Sequence, residues 1–324
     1  MNCRIHSIAF AIAALALAPV ASQAQGAFPD KPITFVVPFA AGTATDQIAR
    51  ALGNGITAES KQAVVIDNKA GASGFIASQF VAKAAPDGYT VLITTNTTHA
   101  ANEHLYKKLP YDPVKDFSPV AALGKGGQIM VVNPSFPAKT VAEFVALAKK
   151  EPGKYSFGSG SSSSRMAGEL LQQMADIQLL HVPYKSNTLA VTDLLGGQIH
   201  MMITDTATGL PQIKAGKLRA LGASGAARSP LAPDVPTIAE AGVKGYEMGY
   251  WFAAYAPAKT PPAVVKRLNE LLVKAAKSEA AKAAFYEPTG TEVFTSSPEE
   301  LAKFQAGESQ KWGRIVKAAG ITAE

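Results

Sequence analysis

The stretch Pro38-Phe-Ala-Ala-Gly42-Thr-Ala-Thr-Asp46 stands between two different hydrophobic patterns. Before it, Ile33-Thr-Phe-Val-Val37 is a β-branched and aromatic run of the kind that makes a buried strand. After it, Ile48, Ala49, Leu52 and Ile56 recur at helical spacing. A strand, a short Gly-containing loop and a helix leave the first backbone N–H groups of that helix without intrahelical partners, at the positive end of its dipole. Such a loop can hold an anion by backbone alone. Taken singly, Gly42 and Asp46 read as a tight turn and a helix cap.

Recurrence strengthens the anion reading. Lys69-Ala-Gly-Ala-Ser-Gly74 lies between Ala63-Val-Val-Ile66 and a helical run with Ile76, Phe80 and Ala84 on one side. Gly158-Ser-Gly-Ser-Ser-Ser-Ser164 follows Tyr155-Ser-Phe157 and precedes a helix whose inner face is expected to hold Met166, Leu170, Leu171 and Met174. Tyr184-Lys-Ser-Asn187 precedes Leu189 to Leu195 and a Gly196-Gly197 stop. Four polar strand-to-helix loops suggest loops gathered around one cleft. The tract Thr94-Thr-Asn-Thr-Thr-His99, at the end of the strand-like Thr90-Val-Leu-Ile93, adds hydroxyls and the Asn96 amide that can point into it.

The chain has 324 residues, 47% of them hydrophobic, and a formal charge of +6. Arg4 and His6 precede the apolar run Ile8 to Leu17, and Ser22-Gln-Ala24 supplies small residues, so residues 1–24 read as a secretory signal peptide. That run is short for a bilayer span. Cleavage after Ala24 removes Arg4 and no acid, leaving 30 basic against 25 acidic residues, or +5, and it removes Cys3, the sole cysteine. The mature chain must therefore stabilise itself by core burial, which suits two α/β domains rather than a stapled scaffold. The basic excess is spread over helices with no aromatic interleaving, so no nucleic-acid partner is expected, and it suits an anionic small molecule.

Gly124-Lys-Gly-Gly127, between the strand-like Val120-Ala-Ala-Leu123 and Ile129-Met-Val-Val132, is expected to be a crossing between domains, with a return crossing at the strand-like Met248 to Tyr255. Two crossings make the first domain discontinuous: 25–125 with 249–324, and 126–248 inserted. Near the carboxyl end, Val265, Leu268, Leu272 and Ala276 mark one helix. Ser297-Pro-Glu-Glu300 then starts a long amphipathic one, with Ser at N-cap, Pro at N1 and Glu at N3, and Leu301, Phe304, Glu308, Trp312, Ile315 and Ala319 mark one side of it, Trp312 as a packing residue.

The motifs Phe28-Pro-Asp-Lys-Pro-Ile33, Pro38-Phe-Ala-Ala-Gly42, Asp67-Asn-Lys-Ala-Gly-Ala-Ser-Gly74, Pro86-Asp-Gly-Tyr89, Leu109-Pro-Tyr-Asp112, His181-Val-Pro-Tyr-Lys185, Asp193-Leu-Leu-Gly-Gly197, Ile213-Lys-Ala-Gly-Lys-Leu-Arg-Ala220 and Asp234-Val-Pro-Thr237 resemble those of the Bug family, the solute receptors of tripartite tricarboxylate transporters. The resemblance covers essentially the whole mature chain. It implies an α/β, type II periplasmic-binding-protein fold, in which two lobes close on a small carboxylate about hinge strands. It also implies periplasmic location and the transporter's membrane components as partners.

Position by position, the resemblance places Ala41, Gly42, Thr43 and Asp46, and Ala72, Ser73 and Gly74, in the first lobe's carboxylate-binding segments. It sets Ser159, Ser161, Ser162, Ser163, Ser164, Arg165 and the neighbourhood of Asp205 on the second lobe's ligand face. Asn96 and Thr97 join them from the polar tract and Lys185 from the fourth loop. Where the family often has a second glycine this chain has Thr43, and Arg165 replaces an uncharged residue or histidine. Arg165 has two readings: a surface ion pair to Glu169, or a fork that binds the far carboxylate of a dicarboxylate.

The expected function is capture of a small carboxylate, a dicarboxylate by preference, by a monomeric receptor without cofactor, metal or catalysis. The alternatives are a periplasmic sensor feeding a kinase and, behind it, an exported hydrolase. Against the hydrolase, there is no Gly-x-Ser-x-Gly elbow and the five histidines have no metal-ligand spacing.

Overall fold

The computed structural model describes residues 28–318 and 320–323. The leader read in residues 1–24, with Cys3, and the last helical position read at Ala319 lie outside the described residues.

The run ending at the Pro38 loop is β1 (Ile33–Val37), and the periodic segment after the loop is α1 (Ala44–Ser60). Seven more strands follow in chain order: β2 (Val64–Asn68), β3 (Thr90–Thr95), β4 (Phe117–Val132), β5 (Ser156–Ser159), β6 (Leu180–Pro183), β7 (Met201–Asp205) and β8 (Arg219–Ala223). The last strand is β9 (Gly249–Pro257). They are ordered β2-β1-β3-β9-β4-β7-β5-β6, with β8 also on β4.

β4 holds the two lobes together. Its first part, through Gly127, pairs antiparallel with β9, and from Gln128 onward it pairs with β7 and β8. The expected joint of two strands is thus one continuous 16-residue strand, with Gly124–Gly127 inside it. Extended pairing to β9 supplies ladder hydrogen bonds that a loop would lack. Pro119 is tolerated because the register shifts beside it, which relieves the missing donor. Gly126 is required: a Cβ there would sit 2.6 Å from the Tyr250 hydroxyl.

Period-2 alternation places the first-lobe core. Ile33, Phe35 and Val37 face Ile48, Leu52 and Ile56 of α1 and Leu268 and Leu272 of α8 (Pro262–Ala276). Val36 and Leu92 face the other way, in one core with Leu301 and Trp312 of the C-terminal helix (Pro298–Ala318). That helix starts as expected: Ser297 N donates to Glu300 Oε2 at 2.8 Å and Glu300 N to Ser297 Oγ at 3.1 Å, a reciprocal capping box.

Two helix faces differ from expectation. In α2 (Phe75–Ala82) the buried residues are Ala77, Ser78 and Val81, while Ile76 and Phe80 are about half exposed. Small residues let the helix approach β3 and β1 closely, which turns the larger ones outward. In α5 (Ser162–Ala175) Met166, Leu170 and Leu171 are buried as expected, but Met174 is 38% exposed. The other helices before α8 are α3 (Asn102–Leu105), α4 (Val141–Lys150), α6 (Asn187–Leu195) and α7 (Thr206–Lys214). No helix among the described residues is long and apolar enough to cross a membrane.

Candidate ligand-binding cleft

Four helices begin at one small cavity. Thr43, Ala44 and Thr45 enter it from the start of α1, Ser161 and Ser163 from α5, Asn187 from α6, and Asp205 from the residue before α7. Strand order makes this meeting: β5 and β7 are neighbours, β7 lies on β4, and β4 continues into the first lobe. The cavity measures about 40 Å³, where about 10–15 Å³ on that scale holds one water. No lysine, arginine or histidine is among the described residues lining it. The positive ends of the helix dipoles and the free N–H groups of α1 face it, together with the carboxylate of Asp205.

The four starts differ in capping. Ser161 accepts from Ser164 N, Ser186 from Leu189 N, and Asp205 from Thr208 N. Thr43, at the N-cap of α1, makes no such bond, because its hydroxyl donates to Ala40 O at 2.7 Å. The first turn of α1 therefore keeps unsatisfied donors beside the cavity. Asp46 does not line it. Its carboxylate, 2% exposed, accepts from Gly42 N at 2.9 Å, Asn68 Nδ2 at 3.0 Å and Arg50 Nε at 3.0 Å. Burial pushes this carboxyl up, but Arg50, Gly42 N–H and Asn68 together hold it below the ordinary aspartate value. Asp46 fixes the loop's shape, with Ala41 and Gly42 exposed at the turn.

A second compartment of about 360 Å³ adjoins the first and shares Phe39, Gly160 and Ser161 with it. Ser73, Gly74, Ser159, Ser162, Arg165 and Lys185 line it, with Tyr106, His181 and Tyr184. The Lys69–Gly74 loop thus serves this outer vestibule, and the fourth loop at the inner cavity is the one ending at Asp205. Ala72 opens the short turn Ala72–Gly74. Ser73, at φ 52, bonds Tyr106 OH at 2.8 Å. Gly74, at φ +87, is pressed against Thr98 and Pro38.

The serine run is divided by helix geometry. Ser161 caps, Ser163 faces the inner cavity, and Ser162 donates to Asn102 Oδ1 across the lobes at 2.7 Å. Ser164 is turned to the Ile203 carbonyl of β7. Ser159 Oγ meets His181 Nε2 at 2.7 Å. Arg165 Nε lies 3.8 Å from Glu169 Oε1, both side chains less than a fifth exposed. Burial raises the Glu169 carboxyl above its ordinary value, against the pull of Arg165 and Gln172. Both readings of Arg165 thus have a counterpart, since it pairs one turn along and also lines the vestibule. Lys185 is exposed.

The polar tract delivers Thr95 to the cavity rather than its two expected residues. Asn96 donates to Gly249 O at 3.2 Å, and Thr97 is buried at the start of the wide helical turn Thr97–Ala101. The residues not foreseen are Phe39, Thr45, Gln128, Asn187, Tyr250 and Phe252, along with Thr95. Asn187 ends a motif already quoted, and Gln128 is a polar residue at the start of an apolar run. Tyr250 carries no local signal. Its hydroxyl lies 3.2 Å from Thr206 Oγ1 and 3.0 Å from Thr291 Oγ1, and burial pushes it up to about 12.

A two-lobed α/β sheet with a cleft between the lobes is the architecture of a solute-binding receptor. Residues 48–321 match the model described as tripartite tricarboxylate transporter family receptor, and the chain belongs to that family, which includes the Bug proteins. Protein BugT of Bordetella pertussis (strain Tohama I) is 34% identical over 94% of this chain and 93% of its own. The R. palustris protein Rpa4515, solved with adipate, superposes with a TM-score of 0.89 at 34% identity, covering 92% of this chain and all of the other. MatC (Rpa3494) from Rhodopseudomonas palustris, solved with bound malate, gives 0.85 at 31% identity, covering 89% and all of the other.

Proposed function

We propose that this receptor captures a small dicarboxylate in the periplasm and delivers it to the membrane components of a tripartite tricarboxylate transporter. The observation that carries the reading is the convergence of four helix N-termini on a cavity with no cationic side chain, next to a vestibule that has Arg165 and Lys185. One carboxylate is held at the uncapped start of α1 by backbone N–H groups, Thr45 and Ser163. The other end extends past Phe39 toward Arg165 and Lys185. Adipate and malate in the two R. palustris relatives support the class of ligand.

Residues 25–125 with 249–324 form one lobe of this trap and 126–248 the other, and they close about β4 and β9 as a monomer. Export by the leader in residues 1–24 places it in the periplasm. Calorimetry with C4 to C6 dicarboxylates and their dimethyl esters tests the reading: the acids bind and the esters do not. Failure of every carboxylate, or turnover of a bound one, overturns it.

A further inference from the structure

Asp205 puts a negative charge in a cavity that the preceding section assigns to a carboxylate, and it is the one charged side chain among the described residues lining that cavity. Its neighbours do not neutralise it. Oδ1 accepts from Thr208 N at 2.9 Å and Thr208 Oγ1 at 2.8 Å, and Oδ2 accepts from Asn187 Nδ2 at 2.9 Å. A carboxylate has about four lone-pair positions, so Oδ2 can take another donor. Directly opposite in the β4–β7 register is Gln128, which is 1% exposed and also lines the cavity. Its Oε1 is buried with no hydrogen-bond partner among the described residues. A buried acceptor without a partner costs about 1–3 kcal/mol unless something fills it.

The cavity therefore has two walls of opposite character. Thr45 and the first N–H groups of α1 donate, while Asp205 accepts and the Gln128 amide stands beside it. The space between them admits only a few atoms. The group that meets the acceptors must be bonded close to the carboxylate that meets the donors. We infer that the receptor selects a carboxylic acid carrying a hydrogen-bond donor, hydroxyl or ammonium, on the carbon beside the inner carboxylate, and that Asp205 reads it. The inference rests on the carboxylate reading of this cleft and narrows it to 2-hydroxy or 2-amino acids.

A substituted ligand gains a charge-assisted hydrogen bond at Asp205 and relieves the repulsion between the two carboxylates. An unsubstituted one leaves the open position on Asp205 to water. Calorimetry at fixed ionic strength and pH 7 on matched sets tests this: succinate, malate and aspartate, then adipate with 2-hydroxyadipate and 2-aminoadipate. In at least one set a substituted member should bind about tenfold or more tighter than its parent. Aspartate above malate marks an ion pair, and malate above aspartate marks a neutral donor.

In the best set Asp205→Asn should bring the members to within about threefold, while asparagine still caps α7. Parents within about threefold of their substituted partners in the wild-type protein overturn the inference and leave the carboxylate reading standing, and that comparison needs no variant. A preference that survives intact in a folded Asp205→Asn protein removes Asp205 as the reader. No binding by any acid of either set overturns both.

Discussion

The inner cavity and the outer vestibule share a wall yet present charge in opposite ways. Inside, the positive contribution comes from the dipoles and N–H groups at the starts of α1, α5, α6 and α7, beside the carboxylate of Asp205. Outside, it comes from Arg165 and the exposed Lys185, on flexible side chains. Dipoles buried against a cavity are screened little and need no reorganisation, whereas a cation on a long side chain loses entropy on ordering, and the exposed Lys185 is also screened by salt. Under the proposed function, the inner compartment holds a fixed group and the outer one accepts variation in the rest of the ligand.

The sharpest way to break the inner compartment is Gly160→Ala. A Cβ there would lie 1.8 Å from Ser186 C and 2.1 Å from Asn187 N, both backbone atoms at the junction of two cavity loops. Overpacking of this kind should cost about 3 kcal/mol. Urea unfolding should show the loss together with loss of binding, and a variant of wild-type stability would mean that these loops give way easily.

Next is Asp46→Ala, which strands Gly42 N–H, Asn68 and Arg50 and should cost about 2 kcal/mol. Because the folded carboxyl is held below 3.8, its contribution is present above that value and is lost as pH falls through the lower, folded one. The stability gap between wild type and variant should therefore be full at neutral pH and shrink in acid. A gap independent of pH would assign Asp46 a steric role only.

Arg165→Ala probes the vestibule. In the wild-type protein Glu169 competes for the guanidinium, so the expected loss is about 1.5 kcal/mol, or roughly tenfold, for a dicarboxylate, and far less for a matching monocarboxylate. Equal losses on both, measured by calorimetry, would make Arg165 a support for α5 rather than a contact. The smallest effect is expected from Lys185→Ala, about 0.5 kcal/mol or less, and it should vanish at high salt. Salt sensitivity of monocarboxylate binding in the wild-type protein would erase the contrast between the two compartments.

Much of this molecule was legible in local pattern. The strand before Pro38, the helix after Asp46, the capping box at Ser297 and Glu300, and the burial of Trp312 all follow from interactions within a few residues or from periodicity. The family was legible too, from motifs spread along the chain. Local pattern also located several strand-to-helix loops, because each such loop is complete in itself.

Which loops share a cavity was decided by tertiary structure alone. The loop at Gly74 looks like the loop at Gly42, but Pro38 and Thr98 packed against it turn it to the vestibule. Asp205, Gln128 and Tyr250 meet the start of α1 only because β4 runs through both lobes and carries β7 on one half and β9 on the other. Strand order is a long-range property, set by how whole faces bury, and a single sequence does not encode it in any one stretch. The same holds for Asp46, where spacing allows a cap or a ligand contact and only the arrival of Asn68 from β2 and Arg50 from α1 makes it a clasp.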